Sequence, residues 1–269
     1  MLSTPALDRY QAAESMVHRL DPRVKVIITV LFIVSNVLLP DGAWLAFVAG
    51  WAFLILASRL ARLGPGFLLR RSFLALPFAL AAVSVLFSQP GQTLWVLQLR
   101  RWTLAISDAG LVRFASILGR SWLSVQMAIL LTATTTFPDL MHALRHLRMP
   151  AVLVSIIGFM YRYLFVLAEE ATRLLRARAA RSARAIGESG SGGSVWWRAQ
   201  VAGSMVGQLF LRSYERSERV YGAMAARGYR GHLLTMNPHV MTRRDWLVGL
   251  GALVLLVGIQ LIGLLPALR

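Results

Sequence analysis

The chain has 269 residues, 57% of them hydrophobic, and a mean hydropathy of +0.59. This composition is too apolar for a soluble domain and is typical of a polytopic membrane protein. The formal net charge is +17 and cysteine is absent, so disulfides, thiolate catalysis and cysteine-based metal sites are excluded.

Arginine supplies nearly all of the positive charge, because Lys25 is the single lysine among 29 basic residues. The basic residues lie in blocks between apolar stretches, so we expect cytosolic loops that contact membrane lipids or acidic partners. No nucleic-acid-reading motif accompanies the charge, and we expect no nucleic-acid partner. A P-loop needs a lysine directly after glycine, whereas Lys25 follows valine, so we expect no ATPase site of that class on this chain.

The apolar stretches predict an all-α fold, a polytopic helical membrane protein with about five spans. Asp21-Pro22 predicts the first helix start, because aspartate is a good N-cap and proline suits the first helical position. The predicted spans cover residues 24–39, 43–57, 73–87, 114–133 and 246–265. Pro77 lies inside the third span and predicts a kink there.

Residues 88–113 mix tryptophans and leucines with arginines, and we interpret them as an interfacial amphipathic helix on the outer face. The interiors of the spans are expected to lack charged groups, which argues against a self-sufficient permease. Interhelical hydrogen bonds are the expected role of the polar residues there, which include Ser35, Asn36, Ser124 and Gln126.

The apolar stretch 151–168 can be placed by counting crossings. Four crossings return the chain to the cytosol, so a crossing here would carry the following segment outside. That segment, residues 168–245, holds thirteen arginines and six acidic residues, a net charge of +7. Because positive charge favours the cytosolic side, we predict that 151–168 is a helix packed within the bundle or along its inner edge. A sixth crossing is the alternative.

The chain therefore divides into a membrane bundle (1–150), a coupling region (151–245) and a final membrane segment (246–269). The coupling region is predicted to hold two cytosolic helices, 168–185 and 199–226, separated by a flexible glycine- and serine-rich break.

Gly228 is a natural stop for the second of these helices. An apolar and small-residue stripe on that helix is predicted to be buried. It consists of Val206, Phe210, Ser213, Ser217, Val220 and Met224. Glu215 and Arg219 are one turn apart and are expected to pair on the opposite face.

A zinc site is one alternative function, because His142 and His146 are four residues apart, a spacing that can hold zinc. The sequence offers no third ligand or carboxylate base nearby. We therefore favour a solvated loop helix over a metal site or a membrane-bound enzyme.

Two tracts place arginine between small residues, one at 180–185 and one at 225–228. Small neighbours let such an arginine enter a groove on a partner, where its guanidinium can bind a carboxylate or a helix C-terminus with two donors. The alternative is that these arginines face solvent or lipid headgroups.

Residues 209–231, LFLRSYERSERVYGAMAARGYRG, resemble the C-terminal signature of the T components of energy-coupling factor (ECF) transporters, in particular the cobalt/nickel CbiQ type. Supporting stretches are residues 20–25 (LDPRVK), residues 134–140, and Tyr161-Arg162-Tyr163 with Glu169-Glu170. The resemblance implies two Ala-Arg-Gly motifs, each of which docks into one ABC ATPase subunit.

Ala226-Arg227-Gly228 matches the second motif in full. Ala183-Arg184-Ala185 is our placement of the first motif, but it lacks the glycine, and Ala180-Arg181-Ser182 is a competing register. The docking arginine of the first motif is thus Arg184 or Arg181.

The resemblance further implies a non-catalytic subunit with no cofactor of its own, because ATP and Mg would bind the two partner ATPase subunits. A small substrate-binding membrane subunit would be the third partner. The expected location is a bacterial cytoplasmic membrane, with the N-terminus and the coupling region in the cytosol. The implied cargo is cobalt or nickel, and another micronutrient or vitamin is the alternative.

Overall fold

The computed structural model describes residues 10–88, 92–99, 102–181, 194–231 and 241–265. These residues form nine α-helices and one two-stranded hairpin, which confirms the predicted helical class. The chain folds into two compact units. We call residues 1–147 with 237–269 the bundle unit, and residues 148–236 the arm unit.

The elements are, in chain order, α1 (Pro22–Leu38), α2 (Trp44–Leu60), α3 (Pro65–Arg71), a 3-10 segment (Ser72–Ala75), α4 (Leu76–Ser88), β1 (Thr93–Leu99), β2 (Trp102–Ser107), α5 (Asp108–Thr134), α6 (Phe137–His146), α7 (Ala151–Arg181), α8 (Val195–Ala226) and α9 (Arg243–Leu264). The first helix begins as predicted, because the Asp21 side chain accepts from the Arg23 N–H and Pro22 is the first helical residue. Among the described helices, α5, α7 and α9 are long and apolar enough to cross a membrane, and α2 is a shorter apolar helix.

The predicted third span, 73–87, is not one continuous helix. The chain passes from α3 through the 3-10 segment into α4. Since α4 begins at Leu76, Pro77 lies in its first turn, where a missing N–H costs nothing. The expected kink inside a span is therefore wrong.

The core of the bundle unit is an apolar cluster contributed by α1, α2, α5 and α9. Leu54 of α2 is fully buried, and Phe32 of α1 is 3% exposed. Polar groups join the helices as predicted. Asn36 Nδ2 donates to Ser124 Oγ at 3.0 Å, and Gln126 Nε2 donates to Ser72 Oγ at 3.2 Å.

The expectation that the span interiors lack charge is wrong at Arg120, which lies in the predicted span 114–133 and in α5. Its Nη2 donates to the Leu39 carbonyl at 2.6 Å and to Asp41 Oδ1 at 2.8 Å. Arg113 approaches the same carboxylate, with Nε 3.9 Å from Oδ2. Arg120 is thus a paired group that holds the α1–α2 turn against α5.

The interfacial helix predicted over 88–113 is also wrong. The described residues of this segment form a hairpin in which β1 pairs antiparallel with β2 and Leu99 lies opposite Trp102. Residues 93–107 hold two threonines, two tryptophans, one valine and one isoleucine, which favour strands. Arg100 and Arg101 lie outside the described residues.

The arm unit consists of two long antiparallel helices. α7 has 31 residues and α8 has 32, so each is about 47 Å long at 1.5 Å per residue. α7 runs without a break to Arg181, and the predicted boundary at residue 168 is therefore wrong. Alanine, leucine and arginine are strong helix formers and continue the apolar half directly into the basic half.

The predicted buried stripe on α8 is wrong, because no residue of this fully described helix is buried. Val206 and Phe210 are 66% and 67% exposed. Ser213, Val220 and Met224 are half-buried and face α7 across a groove. The C-terminal part of the stripe thus faces α7, whereas its N-terminal part, Val206 and Phe210, is exposed.

Candidate docking site

The second Ala-Arg-Gly motif forms the C-terminal cap of α8. The Tyr229 N–H donates to the Met224 carbonyl at 3.0 Å, and the Gly228 N–H donates to the Ala225 carbonyl at 3.0 Å. This pair of bonds is a Schellman motif, which requires a residue with positive φ directly after the cap. Gly228 supplies it with φ of +80°, so the predicted helix stop is confirmed.

Arg227 is the cap residue itself and projects from an open surface. Arg227 and its neighbours Ala225, Ala226 and Gly228 are all exposed. A β-carbon built on Gly228 would meet no atom within 4 Å. The small neighbours therefore leave the guanidinium accessible to a partner surface, and Arg227 makes no ion pair with the described residues.

The chain beyond the cap turns back onto α7. The Tyr229 ring packs edge-on against Phe159, with 6.4 Å between ring centroids. The Gly231 carbonyl accepts from Ser155 Oγ at 3.5 Å, and Ser155 is the one buried residue of α7. Beside these contacts lies a mostly apolar cavity of about 600 Å³. The position of Arg227 is thus fixed by side chains of a second helix.

An ion pair joins the same two helices farther along the arm unit. Glu170 of α7 accepts from Arg212 of α8 at 2.7 Å, and Arg173 adds a second contact at 3.2 Å. The Glu170 side chain is only 13% exposed. On the exposed face of α8, Glu215 and Arg219 approach within 3.9 Å, which confirms their predicted pairing.

The first motif lies mostly outside the described residues. Ala183, Arg184, Ala185 and Ser182 belong to the part of the chain that is not described. Ala180 and Arg181 of the competing register form the exposed end of α7. The placement of the first docking arginine at Arg184 or Arg181 therefore stays a prediction.

The expectation of a solvated helix holds for His146, which is exposed, but it is wrong for His142. His142 is 7% exposed, and its Nε2 lies 3.3 Å from Arg23 Nη2. A nitrogen that faces a guanidinium is not directed toward a metal. Among the described residues, no three histidine, aspartate or glutamate side chains lie close enough together to hold a metal ion.

Comparison with known protein families shows which family the chain belongs to. Residues 13–240 match the family model of the cobalt transport protein family, CbiQ. The chain belongs to this family. Its membership confirms the predicted resemblance to the T components of ECF transporters, and with the apolar helices it identifies a membrane transport component.

Individual relatives agree with this membership. The chain is 30% identical over 269 residues to the energy-coupling factor transporter transmembrane protein EcfT of Acidaminococcus fermentans, and the match covers 96% of each chain. It is 31% identical to the EcfT protein of Heliobacterium modesticaldum over 92% of this chain and 93% of that one. It is 28% identical to the cobalt transport protein CbiQ of Rhodobacter capsulatus over 58% of this chain and 62% of that one.

Sequence reasoning found Arg227 and Gly228 but missed the residues that hold them. Tyr229, Phe159 and Ser155 were not selected, because their roles depend on a contact between helices some 70 residues apart in the chain. The available signal was the aromatic residue after the glycine, since the Schellman motif often packs that residue back on the helix.

Proposed function

We propose that this chain is the non-catalytic coupling subunit of an ATP-driven ECF importer. In this role it binds two ABC ATPase subunits through the exposed ends of α7 and α8, and it passes their motion to a separate substrate-binding membrane subunit. ATP and Mg bind the ATPases, and this chain holds no cofactor. Membership of the family supports the transporter assignment.

The observation that carries the docking role is the capped end of α8. Arg227 projects between small, exposed residues, and its backbone is set by the Schellman bonds. Because the backbone of the cap is already ordered, little backbone freedom is lost when the guanidinium binds a carboxylate with two donors. Arg227 is thus suited to attach the arm unit firmly to a partner subunit, so that the arm unit moves when the partner moves.

Charge supports the proposed orientation. The segment 168–245 carries a net charge of +7, so this segment belongs in the cytosol of a bacterial cell, below the cytoplasmic membrane. The same side holds the ATP pool that the partner subunits need. Exposed arginines that do not contact ATPases would then face acidic lipid headgroups.

The docking role is tested by replacing Arg227 with glutamate in the full complex. The matched control is Arg230→Glu, an equal charge change at an exposed residue outside the motif. We expect Arg227→Glu to insert and purify normally while it loses the ATPase subunits, and Arg230→Glu to retain them. Full recovery of both ATPases with Arg227→Glu would rule out docking through this residue.

We propose cobalt as the cargo, because the family and one relative carry that name. The test is uptake of radioactive Co²⁺ by cells that express the whole transporter, with excess Ni²⁺ as competitor. Uptake that requires the ATPases supports a cobalt importer, and uptake by this chain alone would instead indicate a self-sufficient permease. Absence of Co²⁺ uptake in a complex that hydrolyses ATP would assign the cargo to another micronutrient or a vitamin.

A further inference from the structure

An open groove runs between α7 and α8 within the arm unit. Its volume is about 600 Å³, and cavities that hold small molecules have volumes of about 300–1,000 Å³. α7 lines the groove mostly with apolar side chains, and three of them, Val152, Ile156 and Met160, are exposed. The groove is thus an apolar surface that the two helices do not cover themselves.

Arg216 of α8 lies at this apolar surface. It lines the groove and is half-buried, and it makes no ion pair with any residue in the described part of the chain. Its neighbours on α8 differ, because Arg212 pairs with Glu170 and Arg219 pairs with Glu215. The groove therefore combines an apolar wall with one guanidinium whose charge no carboxylate balances.

Two contacts fix the antiparallel register of the helices. Ser155 Oγ donates to the Gly231 carbonyl at 3.5 Å, and Glu170 accepts from Arg212 at 2.7 Å. The stretch of α7 between these contacts therefore lies opposite residues 212–231. That opposite stretch holds five arginines and two glutamates, so the apolar half of α7 runs beside a charged segment.

This register argues against a membrane crossing by α7, although α7 is long and apolar enough for one. A crossing would carry the opposite arginines into the hydrocarbon, where charged side chains are strongly disfavoured. Arg162, which is exposed in the apolar half of α7 itself, would enter as well. The pairing instead favours a position along the cytosolic membrane surface, where apolar side chains enter the leaflet and arginines reach the headgroups.

Charge indicates which molecule fits the groove. α7 and α8 together carry nine arginines and four glutamates, a net charge of +5. Exposed apolar side chains beside clustered arginines are typical of segments that bind anionic membranes. A water-soluble anion would leave the apolar wall uncovered, and a neutral lipid would leave Arg216 without a counterion.

We propose that the groove binds one acyl chain of an anionic phospholipid, whose phosphate accepts hydrogen bonds from Arg216. α7 then lies along the cytosolic leaflet with the groove facing the lipid. The site needs neither ATPase subunits nor cargo, so its test is independent of the proposed function.

A fluorescent label on a single cysteine tests the acyl-chain contact, because the protein has no cysteine of its own. The label is placed at Ser217→Cys, which lines the groove, or at Gly222→Cys, an exposed position on another face of α8. The full-length protein is reconstituted in nanodiscs of phosphatidylcholine and phosphatidylglycerol in equal amounts, with bromine on the acyl chains of one lipid. We expect bromine to quench the Ser217→Cys label, and iodide in the water to quench the Gly222→Cys label.

The headgroup contact is tested with Arg216→Gln. In the parent, brominated phosphatidylglycerol should quench the Ser217→Cys label about fivefold more strongly than brominated phosphatidylcholine, the preference expected for one arginine at an anionic surface. Arg216→Gln should remove this preference. The matched control is Arg219→Gln, the same change at an exposed arginine that pairs with Glu215, and it should keep the preference.

Equal bromine quenching of the two labels would overturn the groove site, and equal quenching by the two lipids in the parent would overturn the contact with Arg216. Shielding of the Gly222→Cys label from iodide would show that the helices cross the membrane, which also contradicts the proposal. The measurement is repeated in the complete complex. Bromine quenching that persists there supports the lipid site, whereas its loss would assign the groove to a partner subunit.

Native mass spectrometry provides a readout that needs no label. The parent and Arg219→Gln, purified from membranes in detergent, should retain more phosphatidylglycerol than Arg216→Gln. Equal retention by all three would overturn the role of Arg216.

Discussion

Gly228→Ala tests whether the backbone of the cap, and not the arginine alone, creates the docking site. Gly228 has φ of +80° and an open environment, so an added methyl group meets no atom within 4 Å. The substitution therefore acts only through the backbone. A left-handed conformation costs a residue with a β-carbon about 1–2 kcal/mol.

The magnitude follows from how that strain is relieved. If the cap unwinds in the free protein, binding must rewind it, and the apparent affinity for the ATPases falls by the cost of doing so. A cost of 1–2 kcal/mol corresponds to about a 5- to 30-fold increase in the dissociation constant for the ATPases. The contacts of Tyr229 with Phe159 oppose unwinding, so this range is the maximum effect.

Gly222→Ala is the matched control. Gly222 lies inside α8, and a β-carbon there also meets no atom within 4 Å. Alanine in a helix interior is about 0.5–1 kcal/mol more favourable than glycine. The two variants carry the same chemical change with opposite expected signs.

The assay is titration of each purified variant, in lipid nanodiscs, with the ATPase subunits. We expect Gly228→Ala to bind more weakly than the parent and Gly222→Ala to bind at least as well. Equal affinities for the two variants would refute the role of the capped backbone.

Three further outcomes are expected. Tyr229→Ala should weaken ATPase binding by about 1.5–2.5 kcal/mol, half the usual cost of losing a buried aromatic side chain, because Tyr229 is half-buried; Tyr229→Phe should bind normally in the same titration. Glu170→Gln should weaken the α7–α8 contact by only about 0.5–1 kcal/mol, because Arg212 is half exposed and solvent screens the ion pair. A double-mutant cycle with Arg212→Met, followed by thermal unfolding, measures the interaction energy of the pair. Arg120→Met should lower bundle stability by about 1–3 kcal/mol, since the Leu39 carbonyl loses its donor, and an unchanged midpoint would contradict this.

Local signals in the sequence located the helix ends well. Asp21-Pro22 marks the start of α1, and Gly228 marks the end of α8. Both are decided by a few neighbouring residues, since capping depends on one side chain or one φ angle. The predicted second docking motif, Ala226-Arg227-Gly228, coincides with this helix end.

Signals that depend on distant parts of the chain were missed. The break near residue 168 was inferred from a change in polarity, but a helix can change from apolar to basic without interruption when every residue favours it. Arg120 was overlooked inside an apolar stretch because its carboxylate partner, Asp41, lies in another loop. The hairpin at 93–107 was mistaken for a helix because its tryptophans and arginines were weighed for membrane affinity and not for strand propensity.

The arm unit is ordered by few contacts of its own. No residue of α8 is buried, and Ser155 is the only one in α7. Helices of this length gain most of their stability from packing, so in the proposed complex lipids and partner subunits cover these open surfaces. The C-terminal end of α8 is nevertheless defined locally, by the Schellman cap at Arg227. In the proposed function, bound partners complete the packing of α7 and α8, so the arm unit would transmit a displacement only when the ATPases are docked.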